Sequence, residues 1–67
     1  MEVSVNEKKK KISNNVSLAE AIAELKITET TGIAIAINDK VIKRDNWTTE
    51  KLKSNDEILI IRAAQGG

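Results

Sequence analysis

The sequence predicts a small α+β domain: a mixed sheet of four to five strands, one main helix across one face, and a short helical turn. Three patterns predict it. Met1, Val3 and Val5 alternate with Glu2 and Ser4, the two-residue period of a strand with one buried face. From Leu18 the period lengthens, because Leu18, Ala21, Ile22 and Leu25 recur at helical spacing and form one apolar stripe. Strand patterning then returns, with isoleucine at every second position from Ile33 to Ile37 and an almost unbroken apolar run from Ile58 to Ile61.

Each element follows from local chemistry. Asn6-Glu7 reads as a turn after the first strand, and Lys8 to Ile12 as the returning strand, with Ile12 its clearest inward residue. The lysines Lys8 to Lys11 suit a charged edge that resists pairing with other chains. They have no interleaved aromatic residue to stack on a nucleic-acid base. Ser17-Leu18-Ala19-Glu20 fits a capping box, so the helix is expected to start there. Thr28 to Gly32 is a loop. Asn38-Asp39 suits a tight hairpin turn because both residue types tolerate left-handed backbone angles, and Val41-Ile42 gives a short partner strand. Thr48 to Leu52 is expected to form a single helical turn. Trp47, the one aromatic residue, is expected to cover an end of the core with its indole nitrogen near solvent. Ser54-Asn55-Asp56 is a second turn leading into the last strand, Glu57 to Arg62. If Ile58 and Ile60 face the helix, Leu59 and Ile61 face away, and a single helix leaves that sheet face open as a binding surface.

Composition excludes several functions. A chain of 67 residues makes one domain that buries only about 60% of its unfolded surface, leaving little room for a catalytic cleft. It has no cysteine and no histidine, so thiol nucleophiles, disulfides, the usual zinc sites and the commonest neutral-pH base are absent. Eleven basic against ten acidic residues give a net charge of +1, too little for a global field favouring nucleic acid or an anionic membrane. With no membrane-length apolar run and no signal-peptide core, a cytoplasmic protein, monomeric when free, is expected.

The sequence closes on Ala63-Ala64-Gln65-Gly66-Gly67. Residues 1–62 are expected to form the domain and 63–67 a flexible tail. A Gly-Gly end lacks side chains and can enter a narrow active site that rejects bulkier residues. Its carboxylate is a poor electrophile until activated. Attack on the α-phosphate of ATP would yield an acyl-adenylate, from which a sulfur or amine nucleophile displaces AMP. The plainer alternative is a frayed end.

The order strand, strand, helix, strand, strand, turn, strand, with first and last strands paired at the centre, is the β-grasp or ubiquitin arrangement. Ala34 to Trp47, AIAINDKVIKRDNW, resembles the Ala-x-Asn-x-x-Ile/Val-Ile/Val-Pro-Arg-x-x-Trp stretch of the ThiS family, the sulfur carriers of thiamine biosynthesis. Asp56 to Gly67, DEILIIRAAQGG, is similar to that family's last strand and tail. The resemblance implies that Gly67 is adenylated and then thiocarboxylated, with Gly66, Gln65 and Ala64 as the slender tail. It matches Asn38, Arg44 and Trp47 to the middle motif, with Lys43 where the family often has proline. Leu59, Ile61 and Arg62 are the candidate partner-binding residues.

The protein so implied is a carrier and co-substrate, not an enzyme, with no bound cofactor. A ThiF-type adenylating enzyme consumes the ATP, a cysteine desulfurase or rhodanese-like route supplies sulfur, and thiazole synthase, ThiG, receives it. Three alternatives stay open. They are the small subunit of molybdopterin synthase, against which Asn38, Arg44 and Trp47 argue, a ubiquitin-like protein modifier, and a plain β-grasp interaction module with an idle tail.

Overall fold

The structure, a computed structural model, describes residues 1–27 and 31–62. The expected flexible tail and part of the expected loop before Gly32 lie outside the described residues. The chain forms β1 (Glu2–Val5), β2 (Lys8–Lys11), α1 (Leu18–Glu24), β3 (Ile33–Ile37), β4 (Lys40–Ile42), a 3-10 turn (Arg44–Asn46) and β5 (Glu57–Arg62). The strands make one five-stranded sheet in the order β2-β1-β5-β3-β4. β1 and β5 run parallel at its centre, and the other neighbours are antiparallel.

Both hairpin turns rest on left-handed residues. Asn6 and Glu7 have φ of 51° and 71°, and Asn38 and Asp39 have 51° and 70°, the paired positive angles that match the twist of an antiparallel ribbon. Asparagine and aspartate occupy such angles at low cost; Glu7 does so less readily. The second hairpin closes at the expected residues.

A helix of seven residues is too short to persist alone, so its ends and its packing must hold it. The expected capping box is present: the Ser17 hydroxyl accepts from the Glu20 amide at 3.2 Å, and the Glu20 carboxylate accepts from the Ser17 amide at 2.8 Å. Two further free amides of the first turn are satisfied from elsewhere. Leu18 N–H donates to the Glu50 carbonyl at 2.7 Å and Ala19 N–H to the Trp47 carbonyl at 2.9 Å, which completes the accounting for the helix start.

Those bonds correct one expectation. The helical turn lies at Arg44–Asn46, not at Thr48 to Leu52. Residues 50–52 instead run alongside the start of α1, with Lys51 bridging Ser17 and Leu52 N–H donating to the Val16 carbonyl at 3.0 Å. A fully helical Thr48–Leu52 would turn these groups inward and leave the amides of Leu18 and Ala19 without acceptors.

The core lies between α1 and one sheet face. It joins Leu18, Ala21 and Ile22 to Val3, Ile33, Ile35, Ile37, Ile42 and Ile58, closed at the edges by Ile12, Val16, Trp47 and Leu52. Leu18 and Ile35 are completely buried, each contributing about 1.5–3 kcal/mol by leaving water. Leu25, at the end of the stripe, is half-buried. β2 carries four exposed lysines, and the closest carboxylate contact there, Lys9 Nζ to Glu2 at 4.0 Å, is a surface pair of little energetic weight.

Candidate functional site

β5 organises the site. Its alternation puts Ile58 in the core and Ile60 at the core margin, while Leu59 and Ile61 face outward at 47% and 46% exposure. Register then decides what surrounds them. Leu59 lies opposite Ala36 and Ile61 opposite Ala34 on β3, and Ala36 lies opposite Val41 on β4. Laterally paired residues share a sheet face, so Val41, Ala36, Leu59, Ala34 and Ile61 form one apolar surface away from the helix. Val41 is 64% exposed. The sequence reading did not single it out, although its alternation with the buried Ile42 carries that signal. The alanines leave a low strip between larger side chains, which is how Ala36 is buried on an uncovered face.

Toward β1 the same face becomes polar. A shallow depression beside Leu59 is lined by Ser4, Asn6, Glu7, Asp39 and Glu57, three of them carboxylates. Arg62 ends β5 opposite Ile33. Ala64, Gln65, Gly66 and Gly67, the expected tail and its reactive end, lie outside the described residues. Among the described residues no cluster of carboxylates is arranged to hold a metal, and no helix is long and apolar enough to cross a membrane.

The three middle-motif residues fall into two places. Asn38 sits at the start of β5. Its backbone N–H donates to the Glu57 carbonyl at 2.8 Å, its Oδ1 accepts from the Glu57 amide at 2.9 Å, and its Nδ2 donates to Asp56 Oδ1 at 3.0 Å. Asp56 is buried, and its other oxygen accepts from the Lys53 amide at 2.8 Å. Arg44 and Trp47 meet each other instead, with the guanidinium carbon 4.4 Å from the indole centroid, a cation–π contact. Trp47 is buried and its Nε1 donates to the Ile42 carbonyl at 3.0 Å. The expectation of an indole nitrogen near solvent is thus corrected: the carbonyl of Ile42, the last residue of β4, lies within reach and satisfies the buried N–H. Lys43 has φ −62° and ψ 144°, angles that a proline would impose, so the bend before Arg44 forms without one.

Two asparagines grip β5, one of which the sequence reading treated only as a turn former. Asn6 donates its backbone N–H to the Ile58 carbonyl at 2.9 Å and accepts the Ile60 amide on Oδ1 at 2.8 Å. The turn signal at Asn6-Glu7 was visible; its reach to a residue 54 positions away was not.

Topology and site together define a β-grasp domain of the ubiquitin-like kind, with an apolar face on its last strand. The ThiS family model matches residues 1–67, and the chain belongs to that family. Solved structures agree on the fold. A crystal structure of the thiamine biosynthesis protein ThiS from Geobacter metallireducens superposes with a TM-score of 0.87 at 20% identity, covering 100% of both chains. A solution NMR structure of a thiamine biosynthesis protein from the same organism gives 0.77 at 20% identity, covering 100% of this chain and 88% of that one. No curated protein is similar enough in sequence to count as a relative. Family membership supports a sulfur-carrier role in thiamine biosynthesis.

Proposed function

We propose that the chain is a carrier and co-substrate whose Gly67 carboxylate is adenylated and converted to a thiocarboxylate for thiazole formation. The observation that carries this reading is the family match, which runs through the Gly66-Gly67 end. In the first step the Gly67 carboxylate oxygen attacks the α-phosphorus of ATP, the bond to the leaving pyrophosphate breaks, and an acyl-adenylate forms. The terminal sulfur of a donor persulfide then attacks the acyl carbon and expels AMP, and a second thiol cleaves the resulting acyl disulfide, releasing the thiocarboxylate and leaving the two thiols joined as a disulfide. A ThiF-type adenylating enzyme supplies the site for ATP, a cysteine desulfurase or rhodanese-like donor supplies sulfur, and thiazole synthase consumes the thiocarboxylate.

The domain contributes presentation. The apolar face of Leu59, Ile61 and Val41 lies on and beside the strand that runs directly into residues 63–67. Docking there, with Arg62 at the rim, fixes the distance from the partner's active site to the tail. Incubation with a ThiF-type enzyme, ATP and a sulfur source is expected to raise the mass of the Gly67 fragment by the difference between sulfur and oxygen. Deleting Gly67 is expected to abolish the shift, because one lost residue withdraws the acyl carbon by up to about 3.6 Å, more than attack geometry tolerates. Product that supports thiazole formation favours this reading over the molybdopterin carrier. An isopeptide bond to lysine as the sole product would make the chain a modifier, and no modification at all would return the tail to a frayed end.

A further inference from the structure

We infer that Asn6 is a positioning residue for the acyl transfer, setting the direction in which β5 delivers the tail. The inference rests on the carrier reading above. β1 ends at Val5, opposite Ile58, but β5 continues to Arg62. Successive amides of a strand point to alternate edges. Leu59 and Ile61 are held in register with Ala36 and Ala34 on the β3 side, whereas the Ile60 amide faces the other edge, where the β1 strand has stopped. There Asn6 takes over the ladder: its backbone N–H donates to the Ile58 carbonyl at 2.9 Å and its side-chain Oδ1 accepts from the Ile60 amide at 2.8 Å. The left-handed φ of 51° makes this possible, by turning the backbone away toward β2 while the side chain continues along β5.

Without that oxygen the last residues of β5 would hang from β3 through one edge and could pivot about it. Gly67 is seven residues beyond Ile60, up to about 25 Å along an extended chain. A tilt at Ile60 changes where and in what direction Arg62, the last described residue, hands the chain to the partner's site, and so lowers the fraction of docked complexes in which the carboxylate is in line with the α-phosphate. The docking pair, held by β3, would keep its place. Loss of the Asn6 side chain should therefore slow the chemical step more than it weakens association.

Asn6→Gly separates this role from a merely structural one, because glycine accepts the positive φ and removes only the acceptor. The folded variant is expected to keep its Tm. Hydrogen exchange at the Ile60 amide should rise by about tenfold, and ATP–pyrophosphate exchange with a ThiF-type enzyme should show kcat about fivefold lower, with KM for the carrier within about twofold. Asn6→Asp keeps an oxygen acceptor and, at an ionic strength that screens its charge from Glu7, Asp39 and Glu57, should restore kcat. Unimpaired exchange by the glycine variant, or equal impairment of the aspartate variant, would overturn the inference alone. A wild-type chain that supports no exchange overturns the carrier reading and this inference with it.

Discussion

The two hairpins of the sheet end in turns with nearly the same backbone angles, yet only one of them reaches a buried group beside β5. Asn6 and Asn38 share a φ of 51°, and each gives its backbone N–H to a β5 carbonyl and takes a β5 amide on its side-chain oxygen. The bonds that both side-chain oxygens accept from β5 are solvent-exposed; the difference is that Asn38 also donates to the buried carboxylate of Asp56. A polar group withdrawn from water loses much when its partner is removed, and one in contact with water substitutes a water molecule. The same local motif is therefore expected to secure the fold at the entry of β5 and to aim the strand at its exit.

The largest effect should fall on Asn38. Asn38→Ala removes two side-chain hydrogen bonds, leaves Asp56 with one donor fewer, and places a Cβ where φ is positive, at a total cost of about 2–4 kcal/mol. Urea unfolding measures it as a lower midpoint at constant slope. Asn38→Gly, which spares the backbone, should still cost about 1–2 kcal/mol, whereas Asn6→Gly should stay within about 0.5 kcal/mol of wild type. Equal losses at the two turns would dissolve the distinction between them.

A smaller effect on stability, and a large one on association, is expected between the two grips. The Leu59 side chain takes no part in the hydrogen bonds of either asparagine clamp and is nearly half exposed. Leu59→Lys should change stability by no more than about 0.5 kcal/mol, yet weaken binding to the adenylating enzyme by at least about tenfold, because a charge at the centre of an apolar contact is poorly compensated. Calorimetric unfolding and a binding titration on the same variant read both quantities. Unfolding by this substitution would mean that β5 presents Leu59 inward, contrary to its register with Ala36.

What could be read in the chain was what depends on near neighbours. The capping box at Ser17 and Glu20, the left-handed turn at Asn38-Asp39 and the facing of Leu59 and Ile61 are properties of a few adjacent residues, and all are found. What escaped depends on segments meeting across the fold. Thr48 to Leu52 resembles a helical turn until the free amides of Leu18 and Ala19 require the carbonyls of Trp47 and Glu50. Trp47 finds its acceptor on Ile42 only because the 3-10 turn at Arg44–Asn46 carries the indole back to the end of β4. Asn6 acquires a second function only because β1 is shorter than β5. Within the site, the outward facing of Leu59, Ile61 and Val41 is a matter of period alone, but that the three share one surface follows from cross-strand register, which no single stretch of sequence displays.

The smallest effect expected is at a third clamp between side chain and backbone, the partly buried one at the start of α1. The carboxylate of Glu20 is held below the ordinary glutamate range, chiefly by the hydrogen bond from the Ser17 backbone amide, then by the Ser17 side chain, against a small opposing cost of burial, with Lys51 adding a favourable charge. A group whose folded pKa is depressed gives up its contribution as acid protonates it, so this clamp supports the fold above the ordinary glutamate range and ceases to do so as the pH falls through its folded value. Glu20→Gln keeps an oxygen for the Ser17 amide but cannot titrate. Melting curves from about pH 7 down to about pH 3 should therefore show wild type slightly ahead at the upper end and the two proteins converging at the lower. Parallel curves would mean that the carboxylate charge adds nothing to the capping bond, and that this partly buried clamp acts, like the uncharged one at Asn6, through its hydrogen bond alone.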